Sequence, residues 1–353
     1  MPQCKALTNH MCVTMSGSWR PCCRFDQPDF FNTEQTNFES YRHTDFYQNI
    51  IKDMSNGWSK GCQKCQDQER TRGTSYRKFF YQFETENIEF VELSLSNQCN
   101  LACRMCNPTY STTWGDLLNN NLPLKKYIKP AKETNISIEN IFGQIDLNYL
   151  KRIKYLGGEP FITPQIKELF EYLDKHNIIG NIIFECNTNC TLFPQKYLDY
   201  LNKFKKLEIS LSIDGIGPVN DYIRYGKSWE IINKNVDKWV EFRDNSKNVE
   251  LILFTTVQAY NLHNISQLKK FAKKRNIKFE GSILIDPDFL SINALHPVYV
   301  RKIKDPGNAE FIKSYKHYDY LGKDFVNYTN IYDQAVGTAL KNIIPKLEKY
   351  MEM

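Results

Sequence analysis

The chain is 353 residues long, with 41% hydrophobic and 24% charged residues, which excludes wholesale disorder and any collagen-like or low-complexity chain. The length allows one large catalytic core with a smaller accessory region. The formal charge of +6 does not point to nucleic acid, because the lysines are scattered among acids with no dense basic block interleaved with aromatics.

No apolar run approaches the length of a membrane helix, and the start MPQCKALTNHMC has neither the basic nor the apolar region of a signal peptide, so a soluble, cytoplasmic protein without a membrane partner is expected. The first stretch, 1–86, is marked by Cys4, Cys12, Cys22, Cys23, Cys62 and Cys65. Cys99, Cys103, Cys106, Cys186 and Cys190 follow, and none comes later. Without an export signal, closely spaced thiols more often bind metal than pair as disulfides. Soft thiolates select zinc, copper(I) or iron–sulfur clusters, so count and spacing decide among them. Cys12 and Cys23 are read as spare buried thiols, either of which could substitute for a ligand since Cys23 adjoins Cys22, and Cys186 and Cys190 as packing residues.

From about residue 88 the chain alternates apolar, β-rich runs with helical patterns, the signature of parallel βα units. Six strand candidates stand out, Ile88 to Ser96, Arg152 to Leu156, Asn181 to Cys186, Leu207 to Ile213, Val249 to Val257 and Lys278 to Ile285. Helices are predicted at Tyr110 to Asn119, Gln165 to His176, Gln195 to Lys203, Trp229 to Phe242 and Ile265 to Arg275. The fold class is α/β: a partial (β/α)6 barrel of parallel strands over 87–290, with a small cysteine-rich amino-terminal domain over 1–86 and a helical carboxyl-terminal extension over 291–353. Ligands in α/β folds bind at the carboxyl ends of strands, and the unusual polar clusters fall there. They are the triad Cys99-Asn-Leu-Ala-Cys103-Arg-Met-Cys106, then Gly157-Gly158-Glu159-Pro160, Asn187-Thr188-Asn189, and Ser212 with Asp214. The triad supplies three thiolates and no nearby fourth, which leaves one iron of a cubane open, whereas a structural zinc site wants four ligands.

CxxxCxxC after the first strand and GGEP after the second make the chain resemble the radical S-adenosylmethionine (SAM) superfamily over roughly residues 88–290. That resemblance implies a [4Fe–4S] cluster on Cys99, Cys103 and Cys106 whose open iron chelates SAM, and reductive cleavage of SAM to a 5′-deoxyadenosyl radical that abstracts a substrate hydrogen. Gly157, Gly158, Glu159 and Pro160 would then receive the SAM ammonium, with glycine allowing close backbone approach. Asn187, Thr188, Asn189, Ser212 and Asp214 would contact SAM further round the mouth, and Arg224 would pair with its carboxylate through a planar fork. Ser212-Ile-Asp214-Gly215 with the downstream Arg224 is similar to the branch that modifies peptides.

Cys4, twelve residues, Gly17, four residues, Cys22 resembles the opening of the twitch and SPASM accessory domains, and Cys62-Gln-Lys-Cys65 completes a four-thiolate set. The resemblance implies one auxiliary [4Fe–4S] cluster on Cys4, Cys22, Cys62 and Cys65, with zinc as the rival occupant. The function implied is modification of a peptide or protein side chain, with a flavodoxin- or ferredoxin-type electron donor. The alternatives are reaction of a small sugar, aminocyclitol or nucleotide-like metabolite, and a non-enzymatic iron–sulfur or zinc module. A helical tail is expected from about Asp333 to Tyr350, capping the barrel or docking substrate. His296, Asp286 and Asp288 are read as capping or solvated.

Overall fold

The computed structural model describes residues 3–26, 31–127, 137–303 and 305–351. These divide into two compact units that interleave along the chain. The first comprises Met1–Asn97, Lys132–Cys186 and Lys196–Leu207, and the second Gln98–Ala131, Asn187–Gln195 and Glu208–Met353, taken over their described residues.

In the first unit, β1 (His10–Val13) is antiparallel to β2 (Trp19–Arg20) and parallel to β3 (Phe90–Ser94). β3 continues in parallel to β5 (Arg152–Leu156), and β5 to β6 (Ile183–Thr188). β4 (Ala102–Cys103), in the second unit, pairs antiparallel with β8 (Arg224–Tyr225). That unit also holds the parallel pair β9 (Val249–Val257) and β10 (Lys278–Ile283), with β7 (Lys206–Ser212) beside β9 from Glu208 onward. The class is α/β with mostly parallel strands, as the periodicity predicts. Neither ladder closes on itself among the described residues.

Side chains alternate across a strand, so burial along it reports what covers each face. β7 alternates half-buried and buried over all its residues, and β9 does so from Ile252 to Val257. In the first unit Ile153 and Tyr155 are fully buried while Lys154 and Leu156 between them are half-buried. A parallel sheet covered on both faces would be apolar throughout. Here every second residue of β7 and of β9 from Ile252 onward is only half-buried, whereas β1 and β3 up to Leu93 are buried on both faces.

The helices form where apolar residues recur at helical spacing. Pro164–Lys175 starts with Pro at its first position, buries Ile166, Leu169, Phe170, Tyr172 and Leu173, and gives way to Asn177 at φ 55°. Trp229–Asp244 and Ile265–Lys274 bury their stripes in the same way. Two helix expectations need correcting. Gln195 to Lys203 is a 3₁₀ turn, Gln195–Tyr197, followed by one helical turn, Leu198–Leu201. The tail helix runs over Asp319–Val336 rather than 333–350, because Gly337 adopts φ 71° and its N–H returns to the Asp333 carbonyl, which the Thr338 N–H also reaches at 3.0 Å, a left-handed cap that stops the helix. Pro345 then allows only the short turns Leu340–Ile343 and Pro345–Glu348. Among the described residues no helix is long and apolar enough to cross a membrane.

Candidate active site and cysteine centre

In the second unit the triad lies on a loop that is tied down residue by residue. The Cys99 carbonyl accepts from the hydroxyls of Thr113 at 2.7 Å and Thr112 at 3.2 Å, and the Cys103 carbonyl from the Trp114 indole N–H at 2.7 Å. The Cys106 N–H turns back to the Cys103 carbonyl at 2.9 Å. Asn189 Nδ2 lies 3.8 Å from Cys99 Sγ and donates to Asn100 Oδ1 at 3.0 Å, while Asn100 Nδ2 donates to Thr191 at 2.8 Å. β4 and β8 bring Cys103 opposite Arg224, whose Nη1 is 4.0 Å from Cys103 Sγ and whose Nε is 2.8 Å from Asp214 Oδ2. Cys99, Cys103, Cys106, Asn189, Asp214 and Arg224 are therefore brought together.

Electrostatics follow from that grouping. Burial pushes the Cys106 thiol up to about 12 and Cys103 higher, with the neighbouring thiols adding to both and Arg224 opposing. Burial also raises Asp214, an effect that Arg224 only partly offsets. Burial would lower Arg224, but Asp214 and Cys103 outweigh it and hold the guanidinium charged. Two buried thiols that resist ionisation alone, with Cys99 close by and beside a fixed cation, suit a centre that replaces their protons with iron.

The other expected SAM contacts are more scattered. Thr188 is buried and its hydroxyl accepts from the Cys190 N–H at 3.2 Å, Asn187 is exposed, and Ser212 is half-buried at the end of β7. In the first unit Gly157 follows β5 at φ 151°, where an added Cβ would lie 2.6 Å from the Ser96 carbonyl oxygen, so the turn requires glycine. The Gly158 N–H donates to that same carbonyl at 2.9 Å. Glu159 is fully buried and caps the Phe161 N–H at 3.5 Å, and Pro160 opens the next turn, Pro160–Ile162. His296 caps the Val298 N–H at 3.3 Å, and Asp286 and Asp288 are exposed.

The first unit also gathers the amino-terminal cysteines. Cys4, Cys22, Cys62 and Cys65 line one cavity, walled by Phe25 and Phe80 among others. The spacing has a structural reason. Between Cys4 and Cys22 the chain runs out along β1 and back along β2, and Gly17, at φ 72°, makes the turn that a residue with a Cβ disfavours. Cys62 then precedes the helix Gln63–Arg72 and Cys65 lies in its first turn, three residues on and on the same side. Burial pushes Cys4 up to about 11 and Cys62 up to about 12, and Arg77 opposes both. Arg77 lines the cavity and is 6% exposed. It donates to both Glu69 oxygens at 2.9 and 2.7 Å and to the Gln3 carbonyl at 2.7 Å. Among the described residues no three cysteine, histidine or carboxylate groups converge on a single ion position.

Several residues escaped the sequence reading. Parallel register sets Cys12, Glu92, Lys154 and Glu185 side by side across four strands. Lys154 donates to Glu185 at 2.5 Å, Tyr76 donates to Glu92 at 3.3 Å, and His10 Nε2 lies 3.5 Å from the same carboxylate. Burial and the Glu92 carboxylate push the Cys23 thiol up, which places Cys23 beside this row. Charged residues in predicted strands were the available signal. Arg104, inside the cysteine motif, was another.

An α/β protein carrying a three-thiolate loop at the end of a parallel strand defines a class of cluster enzyme. The family model of the Radical SAM superfamily matches residues 93–272, just over half of the chain, and the chain belongs to that superfamily. Its members are enzymes that use a [4Fe–4S] cluster and SAM. Curated relatives include the GTP 3′,8-cyclases of Desulforamulus reducens, 23% identical over 53% of both chains, and of Aquifex aeolicus, 21% identical over 54% of both. The chain thus spans about half the length of these relatives. Similar solved structures include anSMEcpe with bound AdoMet, at TM-score 0.41 and 16% identity over 69% of this chain and 57% of that one. Another is Streptococcus suis SuiB bound to precursor peptide SuiA, at 0.39 and 15% over 73% and 47%.

Proposed function

We propose that this radical SAM enzyme modifies a peptide or protein side chain, holding its catalytic cluster on Cys99, Cys103 and Cys106 and an auxiliary cluster on Cys4, Cys22, Cys62 and Cys65. The observation that carries this reading is the convergence of the four amino-terminal cysteines on one cavity by way of the Gly17 hairpin, since the same pattern resembles the accessory domains of peptide modifiers. A cubane gives each thiolate its own iron, and four cysteines lining one cavity supply that full set; a zinc ion would draw on the same four.

When bound, the cluster and SAM supply the radical chemistry, and the chain supplies binding, orientation and exclusion of water. Arg224 holds a positive charge beside the Cys103 sulfur, Asp214 fixes its direction, and Asn189 points an N–H at Cys99. Gly157 and Gly158 would offer backbone to the SAM ammonium, with Glu159 shaping that turn from beneath. A flavodoxin or ferredoxin would supply the electron.

A second reading, reaction of a nucleotide-like metabolite, is favoured by the cyclase similarity over half the chain. Two measurements test these readings. Iron and sulfide counted anaerobically should give about eight irons per chain, falling to about four in Cys99→Ala/Cys103→Ala/Cys106→Ala. Four falling to none, with zinc retained, would replace the auxiliary cluster by a zinc site. Deuterium passing from labelled peptides into 5′-deoxyadenosine supports the peptide reading; passage from labelled GTP alone would sink it.

A further inference from the structure

The family match ends at residue 272, yet the cysteine loop is held by residues well beyond it. Arg104, between Cys103 and Cys106, is fully buried, and a buried guanidinium needs partners. It ion-pairs with Asp333, donates to the Tyr222 carbonyl at 2.7 Å and to Thr338 at 3.0 Å, and lies 3.5 Å and 4.3 Å from the ring centres of Tyr222 and Tyr332. The backbone of the loop is gripped from the same helix. Tyr328 donates to the Arg104 carbonyl at 2.6 Å, and Tyr332 to the Ala102 carbonyl. Asp333 in turn collects the Tyr222 hydroxyl at 3.1 Å, the Thr338 hydroxyl at 2.8 Å and the Leu340 N–H at 2.8 Å.

We propose that the helix Asp319–Val336 is a working part of the radical SAM centre, clamping the cysteine loop through Tyr328, Tyr332 and Asp333, with Arg104 as the positioning residue. A helix that merely covered an apolar surface would bury tyrosine rings and leave their hydroxyls in water, as the amphipathic character of tyrosine favours. Here two hydroxyls one turn apart, and the carboxylate next to them, all reach the three residues 102–104. With the Trp114 bond to the Cys103 carbonyl, each carbonyl from Ala102 to Arg104 has a side-chain donor. Holding those carbonyls fixes the backbone that carries Cys103 and leads to Cys106, and so would fix how the two thiolates hold a cluster. Sub-ångström placement of this kind governs reactivity without touching substrate.

The inference rests on Cys99, Cys103 and Cys106 being the cluster ligands. It is tested in the full-length, anaerobically reconstituted chain with Tyr332→Phe and with Tyr328→Phe/Tyr332→Phe, which keep the rings and remove the two hydroxyl bonds. Measured are iron content, the change SAM induces in the electron paramagnetic resonance spectrum of the reduced cluster, and KM for SAM against kcat. The double variant should retain iron, lose much of the SAM-induced spectral change, and raise KM for SAM about tenfold, the effect of losing about 1.4 kcal/mol of binding. Tyr332→Phe should lie between it and the wild type. Loss of only those irons that the triple cysteine variant loses also supports the clamp. A double variant with the wild-type spectral change and KM overturns it. A wild type whose reduced cluster shows no response to SAM overturns the ligand assignment instead.

Discussion

At the level of single residues, two charged side chains carry consequences that differ in kind. Arg77 lines the cavity of the amino-terminal cysteines while Glu69 holds its guanidinium, so a cluster bound there as proposed would see a fixed positive charge. A reduced cluster carries one more negative charge than an oxidised one, and a nearby cation favours it. Arg77→Gln, in a chain lacking the Cys99, Cys103 and Cys106 thiols, should therefore shift the midpoint potential of the remaining centre to more negative values in a redox titration; an unchanged midpoint refutes that role. Glu89 is structural. One of its oxygens accepts from the Glu84 N–H and from the N–H and hydroxyl of Thr85, and the other pairs with Lys151 at 2.5 Å. Burial would raise its pKa, but Lys151 and Thr85 outweigh burial and lower it. A lowered carboxyl stabilises the fold above its unfolded value of about 4.3 and loses that contribution as pH falls through the folded value. Glu89→Gln should cost about 1–3 kcal/mol in urea melts at pH 7, and the two proteins should converge in stability as acid protonates the native glutamate.

Residues also mark where sequence alone stopped. The grouping of the cysteines was legible because their spacing is short and regular, and the structure brings Cys4, Cys22, Cys62 and Cys65 to one cavity. Arg104, Arg77 and Glu92 were not, since a lone charge in a sequence reads as a solvated face until tertiary neighbours are known.

Among elements, the hairpin of β1 and β2 turns an abstract spacing into geometry. Gly17 sits in the left-handed region, where an L-residue with a Cβ pays roughly 1–2 kcal/mol. Gly17→Ala should lower stability by about that much and reduce iron bound at the amino-terminal cysteines, while iron bound through Cys99, Cys103 and Cys106 is kept; analysis in the triple cysteine background separates the two pools. A similar argument applies beside the catalytic loop. Gly226 has φ 132°, and an added Cβ would meet the Asn100 carbonyl at 2.8 Å. Gly226→Ala should thus displace Asn100 and lower the catalytic iron, read by the same assay. Strands were legible where alternation and β-branched content were strong, with Arg152–Leu156 and Val249–Val257 falling at their expected bounds. The tail was misplaced because its stop signal, Gly337, is a single residue, and because the tyrosines that anchor it look like ordinary helical surface in sequence.

For the molecule as a whole, the two units are not consecutive segments. The chain passes between them near residues 97, 131, 186, 195 and 207. No single cut can therefore release either unit entire. Limited proteolysis should yield fragments that stay associated until denatured, visible as one peak in native size-exclusion and several bands after denaturation; release of a folded unit by one cut would contradict the division. The class of fold and the family could be read from sequence because both follow from local patterns. The interleaving could not, because it depends on which strands pair across long separations.

The clamp on the cysteine loop also sets a timetable. During synthesis Cys4, Cys22, Cys62 and Cys65 emerge together within the first fifth of the chain. The Tyr328 hydroxyl that holds the Arg104 carbonyl comes 224 residues after its target. If both clusters are held as proposed, a nascent chain would present its amino-terminal thiols to an iron donor long before the loop bearing Cys99, Cys103 and Cys106 has its final grip, and the two would be separated in order of maturation as well as in sequence.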